Sequence, residues 1–367
     1  MRRVKWDLSV VRPTSSLMVL LMLSAIGGHV SGQGSQSSNR EVIFPGHELR
    51  LAGNLLLPAR RTGSTRFPAA IIIGEMGIST RDGLMVGPAA HPVYRDLAEA
   101  LALRGVATLR FDLRCRGVSE CRRISAYDDY IDDLQGAIRF LSAQPEIDPK
   151  RIVLIGHGEG GLIATSLLAQ FESGAAGLVT LSMSGRSLGK MLRDDLQVRM
   201  SEEGRPLTEI REMQAKAERI TRALFYSRPE VIKDTFDPSN PHDLKLRAIL
   251  DEIPRSVSLL VNDPLQTFAA VRVPILIIQG EKDLEVTNKD AAFLEESLKR
   301  TFHPDHTLKL LPEMDHLLKI NKGQPSFASY SDVTRPVDPQ LFSIIGDWVT
   351  ARFGQVTGTP KKGTLKK

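Results

Sequence analysis

The chain has 367 residues, 42% hydrophobic and 25% charged, a globular balance that excludes a disordered polymer, a fibrous repeat and a multi-span membrane protein. Two cysteines exclude a disulfide-dense scaffold and a four-cysteine zinc site. The formal net charge of +5 sits at the two ends: residues 1–32 contribute +3 and the lysines at 361, 362, 366 and 367 contribute +4, so the body carries −2 and shows no nucleic-acid footprint.

In chain order, residues 1–32 have the pattern of an export signal. Arg2, Arg3, Lys5 and Arg12 precede the apolar run Leu17 to Ile26, and Val30-Ser31-Gly32 offers small residues for cleavage. The run is too short to cross ~30 Å of hydrocarbon as a helix. The expectation is therefore a periplasmic or secreted protein with no stable membrane span after processing; an uncleaved anchor is the alternative. Residues 33–40 are polar and read as a linker.

Glu41 to Phe44 and Leu49 to Leu57 read as a hairpin turning at Pro45-Gly46. Apolar runs and helical patterns then alternate. Strands are expected at Ala69 to Ile73, Val106 to Phe111, Ile152 to Ile155 and Gly177 to Met183, with helices at His91 to Arg104, around Tyr130 to Leu141 and at Glu159 to Phe171. Residues 185–270 are charged and helical with no clear strand, which reads as a helical lid inserted between two core strands. In it Met191, Leu192, Leu196, Met200, Leu224 and Phe225 either line a pocket or form the lid's own core. Strands return at Ile275 to Ile278 and Thr307 to Leu311, before a last helix at Gln340 to Phe353. The organisation is a core over 41–184, the lid, a second core segment over 271–354 and a disordered basic tail from 355 to 367. Strands alternating with helices imply a mostly parallel, doubly wound α/β sheet.

The most informative segment is the strand–turn–helix IVLIGHGEGGLIA. Gly156, Gly158 and Gly161 match a dinucleotide-binding spacing, but the next strand ends in Leu181-Ser182-Met183-Ser184, with no carboxylate for a ribose hydroxyl. The alternative is the nucleophile elbow G-x-S-x-G, built here from Gly156, His157, Gly158, Glu159 and Gly160.

Further motifs occur in a consistent order: Arg81-Asp82-Gly83, the pair Asp112 and Arg114, and Ile147-Asp148-Pro149-Lys150-Arg151-Ile152 before the elbow strand. With them, residues 41 to 354 resemble the α/β-hydrolase superfamily, most of all bacterial secreted esterases and serine-aminopeptidase-like hydrolases whose elbow reads G-H-S-E-G-G. The resemblance implies an α/β-hydrolase fold and a Ser–His–acid triad. Asp283 would be the acid and His316 the base, in the family's chain order; Asp263 is a weaker acid. The backbone N–H groups of Met76 and Glu159 would form the oxyanion hole.

Three departures stand on loops around that site. Gly158 replaces the serine and brings no hydroxyl for an acyl-enzyme. Glu75, in Gly74-Glu75-Met76-Gly77, puts a carboxylate beside a site meant for developing negative charge, unfavourable if it points inward. Cys115 stands where the family usually has glycine, and it is either bridged to Cys121 or free. Ser184 is a weak substitute nucleophile, and His303 with His306 has no third metal ligand in view. No cofactor and no metal are expected. The reading is an ester hydrolase by ancestry, weak or inactive as a serine hydrolase. The alternatives are hydrolysis by water activated at His316 and Asp283 or by another nucleophile, and a pseudoenzyme binding a small ester or acyl ligand.

Overall fold

Ser38–Pro45 (β1) and Arg50–Leu57 (β2) pair antiparallel, Ser38 opposite Leu57 and Pro45 opposite Arg50. β1 therefore begins inside the stretch expected to be a linker. Ser38, Asn39 and Arg40 are held through their backbones on the edge of the sheet, where polar side chains are tolerated.

The chain then alternates: Phe67–Ile73 (β3), Val93–Leu103 (α1), Ala107–Phe111 (β4), Tyr127–Ser142 (α2), Ile147–His157 (β5), Glu159–Gln170 (α3) and Gly177–Leu181 (β6). Five α-helices follow: Leu188–Glu202 (α4), Leu207–Phe225 (α5), Pro241–Asp251 (α6), Ile253–Val261 (α7) and Pro264–Ala270 (α8). Ile275–Gly280 (β7), Asn288–Arg300 (α9), His306–Leu311 (β8) and Pro339–Phe353 (α10) complete the fold. These elements come from a computed structural model that describes residues 37–354 apart from 60–65, 77–79, 84–91, 122–125, 252 and 333. The expected export signal and basic tail, with Gly77 and His91, lie outside the described residues. Among those described, no helix is long and apolar enough to cross a membrane.

The eight strands lie in the order β1-β2-β4-β3-β5-β6-β7-β8, antiparallel through β2 and parallel from β4 onward. Side chains alternate across the sheet with period two. In β3, Ala69, Ile71 and Ile73 enter the core under α2, α3 and α9, while Ala70 and Ile72 enter the one under α1 and α10. Both faces are covered, which is why these strands read as unbroken apolar runs. α9 was not among the expected elements. Its signal is a capping box at Thr287 and Asp290 followed by Ala291, Leu294 and Leu298 on one buried face.

α4 to α6 build a third core of their own. Leu196, Met200 and Leu224 are buried in it and Phe225 is exposed, so of the six apolar positions considered only Met191 and Leu192 reach the cavity below. The loops leaving β3, β5, β7 and β8 meet at the carboxyl edge of the parallel sheet, where open α/β sheets bind their ligands.

Candidate active site

At the end of β5 the chain turns through Gly158, at φ 51° and ψ −118°, into α3. This is the left-handed side of backbone space, which glycine enters without a Cβ penalty. A Cβ on Gly156 would fall 2.5 Å from backbone atoms of Gly160 and Gly161, so the strand and helix approach closely only because that position is bare. The elbow is complete as a backbone structure and lacks its side chain.

The space is taken by Glu75. A Cβ placed on Gly158 would lie 1.3 Å from Glu75 Oε2. The Glu159 N–H donates to that oxygen at 3.1 Å, and the Met76 N–H donates to Oε1 at 3.2 Å. The two amides expected to face a substrate oxyanion thus hold a carboxylate of the protein itself. Burial, followed by the neighbouring Glu159 charge, pushes the Glu75 carboxyl up to about 7; Glu285 adds to this, while the His316 charge and the Glu159 amide oppose it.

On the other side of the site, His316 Nδ1–H donates to Asp283 Oδ2 at 3.0 Å. The same oxygen accepts from Gln279 Nε2 at 3.2 Å, and Oδ1 accepts the N–H groups of Glu285 and Val286 at 2.9 and 2.8 Å. Glu285 Oε2 lies 3.8 Å from His316 Nε2. Burial disfavours the imidazolium, but Asp283, Glu285 and Glu75 outweigh it and raise His316 to about 10.

His157 joins the two sides. Its Nδ1 accepts the Tyr94 hydroxyl at 2.7 Å, Tyr94 in turn accepts the Glu75 N–H at 3.0 Å, and His157 Nε2–H donates to the His316 carbonyl at 2.9 Å. Burial and the neighbouring His316 charge lower His157 to about 3, so it stays neutral. Glu75, His157 and His316 place ligand-type atoms within 4.8 Å of one another. Both His157 nitrogens and one of His316 are already engaged in hydrogen bonds, which makes this a poor donor set for a metal.

Asp263 caps α8 through the N–H groups of Leu265 and Gln266, which removes it as an alternative acid. Ser184 lines the same cavity, but its hydroxyl donates to Asp290. His303 accepts the Asp305 N–H, and Asp305 itself pairs with Arg352. Cys115 and Cys121 form a disulfide, and Cys115 sits at φ 62°, in the left-handed region that favours glycine.

A cavity of about 410 Å³ opens over Glu75, Gly158 and His316, walled by Met76, Leu162, Met191 and Leu259. Lid arginines reach both sides of it. Arg255 Nη1 bonds Glu159 at 2.6 and 2.8 Å, and Arg199 Nη2 bonds Glu285 at 2.8 Å. The sequence reading missed Tyr94, Glu285, Arg199 and Arg255. Among them only Glu285 carried a local signal, two residues beyond the expected acid.

Sheet order and the strand–turn–helix elbow define an α/β-hydrolase fold. The chain belongs to the serine aminopeptidase family, S33, whose profile matches residues 90–322. It is 22% identical over 307 residues to esterase EstD of Thermotoga maritima, covering 82% of this chain and 65% of that protein, so it spans slightly under two thirds of that relative's length. Among solved structures it is similar to the α/β hydrolase GrgF from Penicillium, with TM-score 0.56, 17% identity, and coverage of 87% of this chain and all of that one. It is also similar to esterase Pf2001 of Pyrococcus furiosus, with TM-score 0.53, 17% identity, and coverage of 90% and 96%.

Proposed function

We propose that this protein is an α/β-hydrolase of esterase lineage that does not carry out serine-dependent ester hydrolysis. The observation that carries the reading is the position of Glu75: its carboxylate fills the place of the missing side chain at Gly158 and occupies both amides of the oxyanion hole. An ester carbonyl brought to the elbow meets neither a hydroxyl nor a free pair of donors. Loss of the nucleophile alone costs on the order of 10⁶ in kcat. In this reading Asp283 and His316 are the remaining acid and histidine, and the cavity takes a small, largely apolar ligand. The protein is exported; the Cys115–Cys121 bridge supports this, since disulfides persist in oxidising compartments.

The test is turnover of short p-nitrophenyl esters, with and without a serine-directed phosphonate. The expected result is a rate near background and no covalent label. Esterase-like turnover with a phosphonate adduct on any serine would overturn the reading.

A further inference from the structure

The hole amides do more than block a substrate carbonyl. One amide points at each oxygen of Glu75, so each oxygen of a Glu75 carboxyl derivative would keep an N–H donor. Attack of water on an ester of Glu75 would put an oxyanion on the oxygen left unesterified, within reach of one of these donors. The carboxylate also faces the cavity from the position the elbow reserves for a nucleophile, with a ring nitrogen of His316 within 4.8 Å.

An electrophile that turns Glu75 into an ester must be attacked at a saturated carbon. Attack on an acyl ester would give an anhydride, from which the expelled alkoxide readily returns. The group next to Glu75 is His316, a proton donor held by Asp283 and Glu285, which suits a leaving oxygen more than a leaving halide. The cavity walls are mainly apolar, with charged groups such as Arg255 and Glu285 among them, and the volume of about 410 Å³ suits a small molecule.

We propose that Glu75 is the nucleophile of this site and that the protein hydrolyses small apolar epoxides to vicinal diols through a glutamyl ester. In the first step a lone pair of a Glu75 oxygen forms a bond to one epoxide carbon. The carbon–oxygen bond of the ring breaks, and the released oxygen takes the proton of His316. His316 is then neutral and serves as base in the second step. It removes a proton from water as the water oxygen bonds to the Glu75 carboxyl carbon, and the resulting oxyanion, on the oxygen that is not esterified, accepts the amide N–H that faces it. Collapse breaks the bond between that carbon and the alkyl oxygen, which receives the acid proton left on Glu75. Carboxylate and imidazolium are restored, and the sum is epoxide plus water to diol. The proposal rests on the absence of serine chemistry argued above and adds to it a reaction that the serine fold does not supply.

The experiment uses the full chain in excess over styrene oxide, in heavy-oxygen water, through a single turnover. The expected diol carries only ordinary oxygen, because its new oxygen comes from Glu75, and the peptide holding Glu75 gains the heavy isotope. Heavy oxygen in the diol with an unlabelled Glu75 would mean direct attack by water and would overturn the assignment, as would no turnover by protein shown folded by circular dichroism. Glu75→Gln should lower turnover by at least about 10³-fold. Should that variant fail to fold, the isotope measurement on the wild type still decides. The p-nitrophenyl ester assay on the same preparation separates the two claims: serine-type esterase activity overturns the loss of serine chemistry, while the isotope result judges Glu75 independently.

Discussion

The two halves of the site are filled in different ways. The half on β7 and β8 keeps a saturated arrangement: Asp283 accepts four hydrogen bonds, one of them from His316, and every partner is a backbone amide or a buried side chain. The half on β3 and β5 has a glycine at the elbow turn and the Glu75 carboxylate in the space beside it. Simple decay would leave a void at Gly158 and unsatisfied amides beside it. Instead the void is filled, both amides are bonded, and Tyr94 and His157 tie Glu75's own backbone to the carbonyl of His316. A partly buried carboxylate is costly unless its surroundings hold it, and here two amides do; on the reading proposed above, this is the rebuilt half and the Asp283 side the retained one.

The sharpest way to break the comparison is to restore the old half. Gly158→Ser alone should remain near background on p-nitrophenyl esters, because the new side chain meets Glu75 Oε2 1.3 Å from its Cβ. Gly158→Ser combined with Glu75→Gly clears the position and frees both amides, and kcat/KM should rise by about 10³-fold or more over wild type. A dead double variant would mean that the retained half is no longer aligned with the elbow.

The retained half should be the more sensitive to loss of a partner. Asp283→Ala leaves His316 buried without its main counter-charge and should cost about 3–5 kcal/mol, read by urea unfolding at neutral pH. A cost below about 1 kcal/mol would show that this half is no more tightly held than the other.

The pH dependence separates the halves by sign. His316 is raised from 6.5 to about 10, so its contribution is fully present below pH 6.5 and is lost as pH rises through 10. His157 is lowered from 6.5 to about 3, so stability is lost as pH falls from 6.5 toward 3. Glu75, facing Glu159, Glu285 and His316, is raised from 4.5 to about 7, so the folded state loses stability as pH rises through that window. Glu75→Gln removes this last loss. It should be more stable than wild type by about 1–3 kcal/mol near pH 8, with no difference near pH 4. Epoxide turnover, if Glu75 is the nucleophile, should rise with its deprotonation near 7 and fall as His316 loses its proton near 10.

The smallest effects should come from the lid. Arg255→Ala removes the cation beside Glu159 on the rebuilt half, and Arg199→Ala removes the one beside Glu285 on the retained half. Each should cost about 1 kcal/mol or less in stability. The acid limb of the pH profile should shift upward in Arg255→Ala, because Glu159 then acts on Glu75 with less compensation. Equal shifts in the two variants would remove the distinction between the halves.

The order of strands and helices, the elbow turn and the positions of Asp283 and His316 were legible in the chain alone. Apolar periodicity and turn residues act over a few positions, and the loops that end parallel strands meet at one edge of the sheet whatever their side chains. α9 is equally local, its cap and buried stripe plain in the residues. The departures at Gly158 and Glu75 were visible as letters, but the direction of the Glu75 side chain was not. That direction depends on the Tyr94 hydroxyl, on the amide of Glu159 across the elbow and on the empty space left by Gly158, all far apart in the chain. The same holds for the helices between β6 and β7, where Met191 lines the cavity, Leu192 both lines it and joins the helices' own core, and Leu196, Met200 and Leu224 lie in that core alone. A helical period says which residues share a face, and only the packing of that helix against its neighbours decides what the face meets.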